Sequence, residues 1–356
     1  PRAAGGLPAM SPRKSDPAAP GRATIADVAR HAGVSKTTVS RYLDGRHELL
    51  TPDITERVRH TIEALSYRPS PMAQALKHGR SRLIGLAVAD ITNPFSVAVL
   101  QGAEKTCQEA GYLLVLFNLG NEPGRERDAL QALTDYQIDG LILNRVDTHA
   151  QLWQGAVKYG KPIVLVDRDQ EGVDADYVSV DNAAVIALAL AHLQARGWGE
   201  VLLISEPCSG VSSRSARRDT FTAAMAQQAG NPEGLRGSFW ESTPDNQEQL
   251  MQRLRLLRTQ AQGRRPAVLA GNAVATLRIA SAVQALGWSL GKELGFVGID
   301  ETEWAALIGP GLSTIAQPTD ALGRTAARCL IERLQGWNGP TRRIELPGEL
   351  QRRGSS

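Results

Sequence analysis

The sequence predicts an α/β protein that carries an all-α headpiece near its N-terminal end. In residues 24–67, apolar residues recur at helical spacing in three short segments. From residue 82 onward, apolar segments of strand length alternate with amphipathic helical segments, which is typical of parallel sheets covered on both faces. Charge is uneven as well: residues 1–82 hold 14 Lys and Arg against 7 Asp and Glu, whereas the remainder holds 26 against 30.

Composition narrows the class of protein. The 356 residues suggest two or three domains, and 42% hydrophobic with 22% charged residues is typical of a soluble globular chain. We find no apolar run long enough to span a bilayer and no stretch that resembles a signal peptide, so we expect no membrane partner. Residues 1–21 are predicted to be a disordered tail, with Met10 as a possible start. Three distant cysteines (Cys107, Cys208 and Cys329) argue against a disulfide framework and indicate a reducing cytoplasm.

The first two predicted helices flank a glycine. Thr24 with Asp27 three residues later resembles a capping box for the first helix, over residues 24–32. Gly33 then breaks the helix, and Ser35 caps the second, whose Val39 and Leu43 face inward. Thr51 and Pro52 form the cap and the first turn of a third helix.

Two short helices joined at a glycine turn, with a third that closes the core, predict a helix-turn-helix over residues 22–68. The exposed face of the second helix then carries short polar and cationic side chains that can reach base edges and phosphates: Lys36, Thr37, Thr38, Ser40 and Arg41. The basic front end supports a polyanionic partner. A small three-helix bundle with a solvated basic surface is the alternative.

Residues 69–81 follow as a linker. Ser70 and Pro71 can cap and begin a short helix that includes Leu76, although so short a helix is marginal alone in water. Seven apolar strands are predicted beyond it, between residues 82 and 300, and could form one large sheet. Ligands of such sheets bind beyond the carboxyl ends of the strands. Isolated polar residues end these strands: Asp90, Asn144, Asp167, Arg168, Glu206, Asn272 and Asp300. Helix capping is the alternative role, especially for Asp90 and for Asn93, which precede Pro94.

The stretch TIADVARHAGVSKTTVSRYLDG resembles the headpiece signature of the lac/gal repressor family, and the resemblance extends over about residues 22–355, to PGELQRRGSS. It implies that Lys36 and Thr37 read bases. It also implies that a hinge helix forms on DNA and wedges Leu76 into the minor groove, with packing against the body as the alternative. The remaining residues assigned to the DNA-binding set support these contacts: Thr24, Ser35, Thr38, Ser40 and Arg41.

The same resemblance implies two similar lobes rather than one sheet, in a body over residues 82–356 that binds an effector and forms a homodimer. The first lobe is expected at about 82–180 with 311–340, and the second at about 181–310. Effector-binding positions implied by the resemblance are Asp90, Phe95, Asp167, Arg168, Arg217, Trp240, Asn272 and Asp300. A surface salt bridge is the alternative for Arg217, and core packing is the alternative for Trp240.

These features predict a cytoplasmic, homodimeric transcriptional regulator, of repressor type, which binds a pseudo-palindromic operator. Carboxylates and amides suit a polyhydroxylated effector, and Arg217 with Arg168 suits an acidic group, so we expect a sugar acid that acts as an inducer. The run NPFSVAVLQGAEKTCQEAGY is most similar to family members that regulate gluconate or ketogluconate use. No cofactor or metal site is expected, and no G-x-S-x-G or H-E-x-x-H motif supports an enzyme. A periplasmic sugar receptor, the other rival, would need an export signal and no helix-turn-helix.

Overall fold

The chain divides into two compact units, one that ends at Gly79 and one that runs from Arg80 to Ser356. The structure is a computed structural model that describes residues 23–69, 79–120, 122–144, 160–169, 172–243 and 246–356. The predictions made for the tail, for Ser70 and Pro71, and for the wedge residue Leu76 lie outside these residues.

The headpiece contains helices α1 (Ile25–Ala32), α2 (Lys36–Leu43) and α3 (Pro52–Ala64), with a 3₁₀ turn at His47–Leu49. The predicted helix starts are confirmed: Thr24 and Asp27 form a capping box, and the Ser35 and Thr51 hydroxyls accept backbone N–H bonds. Gly33 ends α1 in the left-handed region at φ 63°, which is the conformation that lets the chain turn tightly into α2. Five buried side chains form the headpiece core: Val28, Ala29, Ala32, Val39 and Val58.

The body contains two separate sheets, so the single large sheet is excluded. The first lobe has a six-stranded sheet in the order β11-β5-β4-β3-β1-β2, in which all pairs are parallel. Its strands are β1 (Leu83–Val88), β2 (Leu113–Asn118), β3 (Gly140–Leu143), β4 (Ile163–Val166), β5 (Asp176–Val180) and β11 (Arg343–Leu346). Helices α4 (Pro94–Glu109), α5 (Pro123–Asp135) and α10 (Thr319–Leu334) belong to this lobe.

The second lobe repeats the arrangement, with the order β12-β10-β9-β8-β6-β7. Its strands are β6 (Glu200–Ser205), β7 (Arg236–Glu241), β8 (Pro266–Ala270), β9 (Gly295–Ile299), β10 (Ser313–Ala316) and β12 (Glu349–Gln351), the last antiparallel to β10. Its helices are α6 (Asn182–Ala195), α7 (Ser212–Gln227), α8 (Gln247–Gln260) and α9 (Ala273–Ala285), with a 3₁₀ turn at Glu303–Leu307. β4 and β9 therefore occupy the same place in their sheets.

The chain crosses between the lobes after β5, after β10 and after β11. The assignment of all of 311–340 to the first lobe is wrong, because β10 pairs in parallel with β9 and extends the second sheet. Only from Thr319 does the chain rejoin the first lobe, where α10 packs closely on α4. Gly102 and Gly323 make this approach possible: a Cβ on either would lie 2.1 Å from a backbone oxygen of the other helix.

Candidate functional site

The outer face of α2 is the candidate DNA-reading surface. Lys36, Thr37 and Arg41 are exposed, whereas Val39 is fully buried, so α2 turns its polar side outward. Thr38 and Ser40 are half-buried; the backbone N–H of Thr38 donates to Ser35 Oγ at 3.1 Å. Thr24 and Ser35 act locally as helix caps, which sets where α1 and α2 begin.

In the body, Asp167 and Asp300 stand at equivalent strand ends of the two lobes. Asp167 follows β4 and Asp300 follows β9, and both have left-handed backbone conformations, with φ of 65° and 81°. Non-glycine residues rarely adopt this conformation, and such residues concentrate at ligand sites. Arg168, next to Asp167, is 8% exposed. The two strand ends are therefore the first candidates for groups that hold a ligand.

Arg217, on α7, connects two of the three lobe crossings and is itself only 5% exposed. Its Nε donates to Asn182 Oδ1 at 2.7 Å, and one terminal nitrogen donates to the Gly271 carbonyl at 2.8 Å. The other donates to Gln317 Oε1 at 3.3 Å. Asn182 stands at the crossing after β5, and Gln317 at the crossing after β10. The surface salt bridge proposed as the alternative for Arg217 does not occur among the described residues.

Sequence reasoning missed Asn182 and Gln317. Both are isolated amides just past an apolar strand, in VSVDN and STIAQP. The signal that selected Asn144 and Asn272 would have found them, had β5 and β10 been recognised as strands.

The carboxylate of Asp300 belongs to the same network. Its Oδ2 accepts the backbone N–H of Ala273 at 2.9 Å, and its Oδ1 accepts the side-chain amide of Gln317. Burial raises the pKa of Asp300, and the nearby charge of Asp167 adds to this; Arg217 and the two hydrogen bonds act in the opposite direction. Arg217, Gln317 and Asp300 thus form one buried, connected polar group.

Asp167 makes a hydrogen bond from the first lobe to the second. Its Oδ2 accepts a hydrogen bond from Ser213 Oγ at 3.2 Å; Ser213 lies in the first turn of α7, one turn before Arg217. The same oxygen accepts a hydrogen bond from Asn144 Nδ2 at 3.4 Å. The buried Asn144 Oδ1 has no hydrogen-bond partner among the described residues. Asp167 therefore joins the start of α7 to Asn144, which keeps one buried acceptor without a partner in the described part of the chain.

Asn272 is already occupied by protein groups. Its Oδ1 caps α9 by accepting the Ala275 N–H at 2.8 Å, and its Nδ2 donates to Glu206 Oε2. Arg214 donates to the same carboxylate oxygen at 2.6 Å. These two bonds use one of the two amide hydrogens and one of the two oxygen lone pairs of Asn272, and both orient its side chain within the second lobe. Arg214 is a second cation on α7 that the sequence did not single out.

The remaining expected positions are engaged within their own lobes. One oxygen of Asp90 accepts both the backbone N–H and the hydroxyl of Thr92, at 2.8 Å each, and Asn93 caps α4. Phe95 is 9% exposed and belongs to the first-lobe core. Trp240 is half-buried and packs against a second-lobe core cluster, so core packing accounts for part of its surface.

Other kinds of site find no support in the described part of the chain. No group of His, Cys, Asp or Glu there could hold a metal ion. No described helix has the length and apolar character needed to cross a membrane. The three cysteines are buried, and burial raises the pKa of Cys107 to about 12 and that of Cys208 to about 11, so both remain thiols at neutral pH.

Comparison with known proteins finds matches to both the headpiece and the body. Residues 24–70 match the model of bacterial regulatory proteins of the lacI family, and residues 190–356 match the periplasmic binding protein-like domain. The chain is 43% identical to the HTH-type transcriptional regulator PtxS of Pseudomonas plecoglossicida, over 94% of this chain and 96% of that protein. It is 37% identical to the HTH-type transcriptional regulator KdgR of Bacillus subtilis, over 93% and 96%.

A solved structure agrees in fold. The lac repressor dimer bound to operator and the anti-inducer ONPF superposes with a TM-score of 0.78 at 26% identity, covering 94% of this chain and 99% of that one. Sequence and fold match across both the headpiece and the two-lobed body. The chain therefore belongs to the lacI family of bacterial regulatory proteins.

Proposed function

We propose that the protein is a cytoplasmic, repressor-type transcriptional regulator whose operator affinity is set by a sugar acid bound between its two lobes. Residues 22–68 bind DNA, residues 69–81 form the hinge, and residues 82–356 bind the effector and the second subunit. The family supports the regulator role, since PtxS and KdgR are named transcriptional regulators. The Arg217 network carries the effector part of the proposal, because it joins the crossings after β5 and after β10 to a buried carboxylate.

DNA reading belongs to α2. Lys36 and Thr37 are exposed at its first turn, where a recognition helix contacts base edges, and Arg41 is exposed one turn further on. Lys36 and Thr37 read bases, while Thr38, Ser40 and Arg41 support them through phosphate and local contacts. Leu76 acts as the minor-groove wedge of the hinge, as the family resemblance implies.

A homodimer supplies the second headpiece that a pseudo-palindromic operator needs. Large apolar side chains are exposed in both lobes. Leu113 on the edge strand β2 is 67% exposed, Leu277 on α9 is 47% exposed, and Leu307 is 82% exposed. Exposed leucines in both lobes are consistent with a subunit interface that extends along the body.

The effector site has the chemistry of a polyhydroxylated acid. Asp167, Asp300 and the unpartnered oxygen of Asn144 can accept hydroxyl hydrogens. Arg217 holds planar donors that match a carboxylate, and Arg168 adds a second guanidinium on the first-lobe side. An acid of the gluconate or ketogluconate type fits this combination better than a neutral sugar.

Control of DNA binding follows from the position of Arg217. An effector that exchanges hydrogen bonds with Arg217 changes how Asn182 and Gln317 are held, and these residues stand where the chain crosses between the lobes. The effector can change operator affinity only as far as it binds the two lobe arrangements with different affinity. We assign it the role of inducer, which lowers operator affinity.

Binding measured by calorimetry tests the proposal, with gluconate, 2-ketogluconate, glucose and ribose as probes and with an operator-shift assay on the same samples. We expect an acid to bind, to release operator, and to bind Arg217→Ala at least tenfold more weakly, because a charged hydrogen bond contributes about 1.5–3 kcal/mol. Arg218→Ala, an exposed neighbour paired with Asp219, is the control. Binding of neutral sugars alone overturns the sugar-acid assignment, and absence of any sequence-selective shift overturns the regulator role.

A further inference from the structure

The segment Asp167–Asp169 is held from both lobes. In the second lobe, Ser213 Oγ donates to the Asp167 carboxylate, and Ser212 Oγ accepts the backbone N–H of Asp169 at 2.7 Å. Both serines belong to the first turn of α7, the helix that carries Arg217. The segment is therefore a contact surface between the lobes beside the proposed effector site.

Two first-lobe residues support this segment from behind. Arg343 and Tyr177 are register partners on β11 and β5, and the Arg343 guanidinium lies 4.4 Å from the centroid of the Tyr177 ring. The Tyr177 hydroxyl donates to the Asp167 carbonyl at 3.2 Å, and Arg343 donates to the Asp169 carboxylate. The stacked pair thus contacts the segment at both of its ends.

Arg343 also has a special position in the chain. It begins β11, the strand that leads from the first lobe to β12 in the second. A side chain on this crossing strand therefore holds the segment through which Asp167 and Asp169 meet α7.

We infer that Arg343 and Tyr177 are positioning residues: they hold Asp167–Asp169 in the conformation that docks on α7 and thereby set effector affinity without touching the effector. The inference rests on the proposed effector role of Asp167. The left-handed conformation of Asp167 supports it, because an unfavourable backbone conformation persists only where neighbouring groups maintain it.

The expected effect on folding stability distinguishes this positioning role from a stabilising one. Arg343 is 57% exposed and Asp169 is 35% exposed, and solvent-exposed ion pairs contribute little to folding. Tyr177 is buried, and Tyr177→Phe removes only the hydroxyl while the ring stays packed. We therefore expect both variants to melt close to the wild type and to differ in the segment's docking.

The test uses the full-length protein with Tyr177→Phe, Arg343→Gln and the double variant. Hydrogen exchange of the Asp169 amide, measured without ligand, reports directly on docking against Ser212. Calorimetry with gluconate and 2-ketogluconate reports on effector affinity. Arg324→Gln is the matched control, because Arg324 is a half-buried arginine of the same lobe that pairs with Asp320.

We expect the Asp169 amide to exchange its hydrogen faster in each single variant than in the wild type. We also expect each variant to bind the effector about three- to tenfold more weakly, as for one lost hydrogen bond. The double variant is expected to lose less than the product of the two, because both residues act on one segment. Arg343→Lys should restore only part of the loss, since lysine keeps the charge but not the planar stack. If both single variants match the Arg324→Gln control in Asp169 amide exchange and in effector affinity, the inference is overturned. If the wild type binds neither acid, the sugar-acid proposal fails, and the exchange data still decide whether the pair positions the segment.

Discussion

Asp167 follows β4 and Asp300 follows β9, the strands at equivalent positions in the sheets of the two lobes. The charge of Asp167 helps to raise the pKa of Asp300. Two carboxylates with left-handed backbones therefore act on each other between the lobes. The arrangement repeats in the two sheets, but the surroundings differ: Asp300 is bonded inside its own lobe, whereas Asp167 contacts α7 across the lobes.

Asp300→Asn is expected to weaken effector binding by tenfold or more while leaving operator binding intact, because a charged acceptor is lost from the site. The difference in unfolding free energy between this variant and the wild type should depend on pH. A carboxyl whose pKa is raised in the folded state favours folding less as pH rises through that pKa. The variant should therefore gain stability relative to the wild type between pH 4 and pH 8 in urea titrations. A pH-independent difference would show that Asp300 titrates alike in the folded and unfolded chain.

Asp176→Asn is expected to lower the free energy of unfolding by about 2 kcal/mol at pH 7, since one pKa unit corresponds to about 1.4 kcal/mol. Bonds from Arg333 and Arg342 hold the pKa of the buried Asp176 at about 2 against the desolvation that would raise it. The contribution of this depressed pKa is present above about pH 4 and is lost as pH falls towards 2. Asp320→Asn, which breaks the exposed pair with Arg324, should cost under about 1 kcal/mol. Equal losses of unfolding free energy in Asp176→Asn and Asp320→Asn would contradict the stabilising role of the buried Asp176 carboxylate.

Lys36→Ala and Thr37→Ala are expected to relax base preference at their contacted positions, at about 1–3 kcal/mol for each lost base contact. Fluorescence anisotropy against operator variants, repeated over a range of salt, measures this. Arg30→Ala is the control, because it removes an exposed charge from α1 and should not alter the order of preference among operators. Unchanged discrimination in both α2 variants would remove α2 from the reading role.

Leu76→Ala is expected to weaken specific binding and to reduce operator bending, since the wedge no longer unstacks a base step. Circular-permutation gel shifts measure the bend, and binding to non-operator DNA provides the reference. A wild-type bend angle and affinity would return Leu76 to the packing alternative.

Leu307→Arg and Leu113→Arg are expected to shift sedimentation from dimer towards monomer, because a desolvated charge in an apolar interface is costly. Leu256→Arg, at a 42% exposed position on α8, shows whether any exposed leucine has the same effect. A wild type that sediments as a monomer at micromolar concentration, with and without DNA, would overturn the homodimer itself.

Local chemistry determined the headpiece. The caps at Thr24, Ser35 and Thr51 and the glycine turn at Gly33 involve residues within a few positions of one another, so the sequence alone located α1, α2 and α3. The buried central strands were also predicted, because short unbroken apolar runs that alternate with helical segments are typical of sheets covered on both faces.

Tertiary structure alone decided what lies between those elements. β10 and β11 have four residues each, and β7 mixes polar with aromatic residues, so periodicity did not reveal these strands, and β10 was placed in the wrong lobe. Asn182 and Gln317, which accept bonds from Arg217, lie 35 and 100 residues away from it, and Glu206, which accepts a bond from Asn272, lies 66 residues away. Hydrogen bonds of such range form only after two sheets and three crossings have brought the strand ends together. For that reason the sequence by itself identified polar residues at the ends of the strands it predicted, and the fold decided which of them meet and added Asn182 and Gln317.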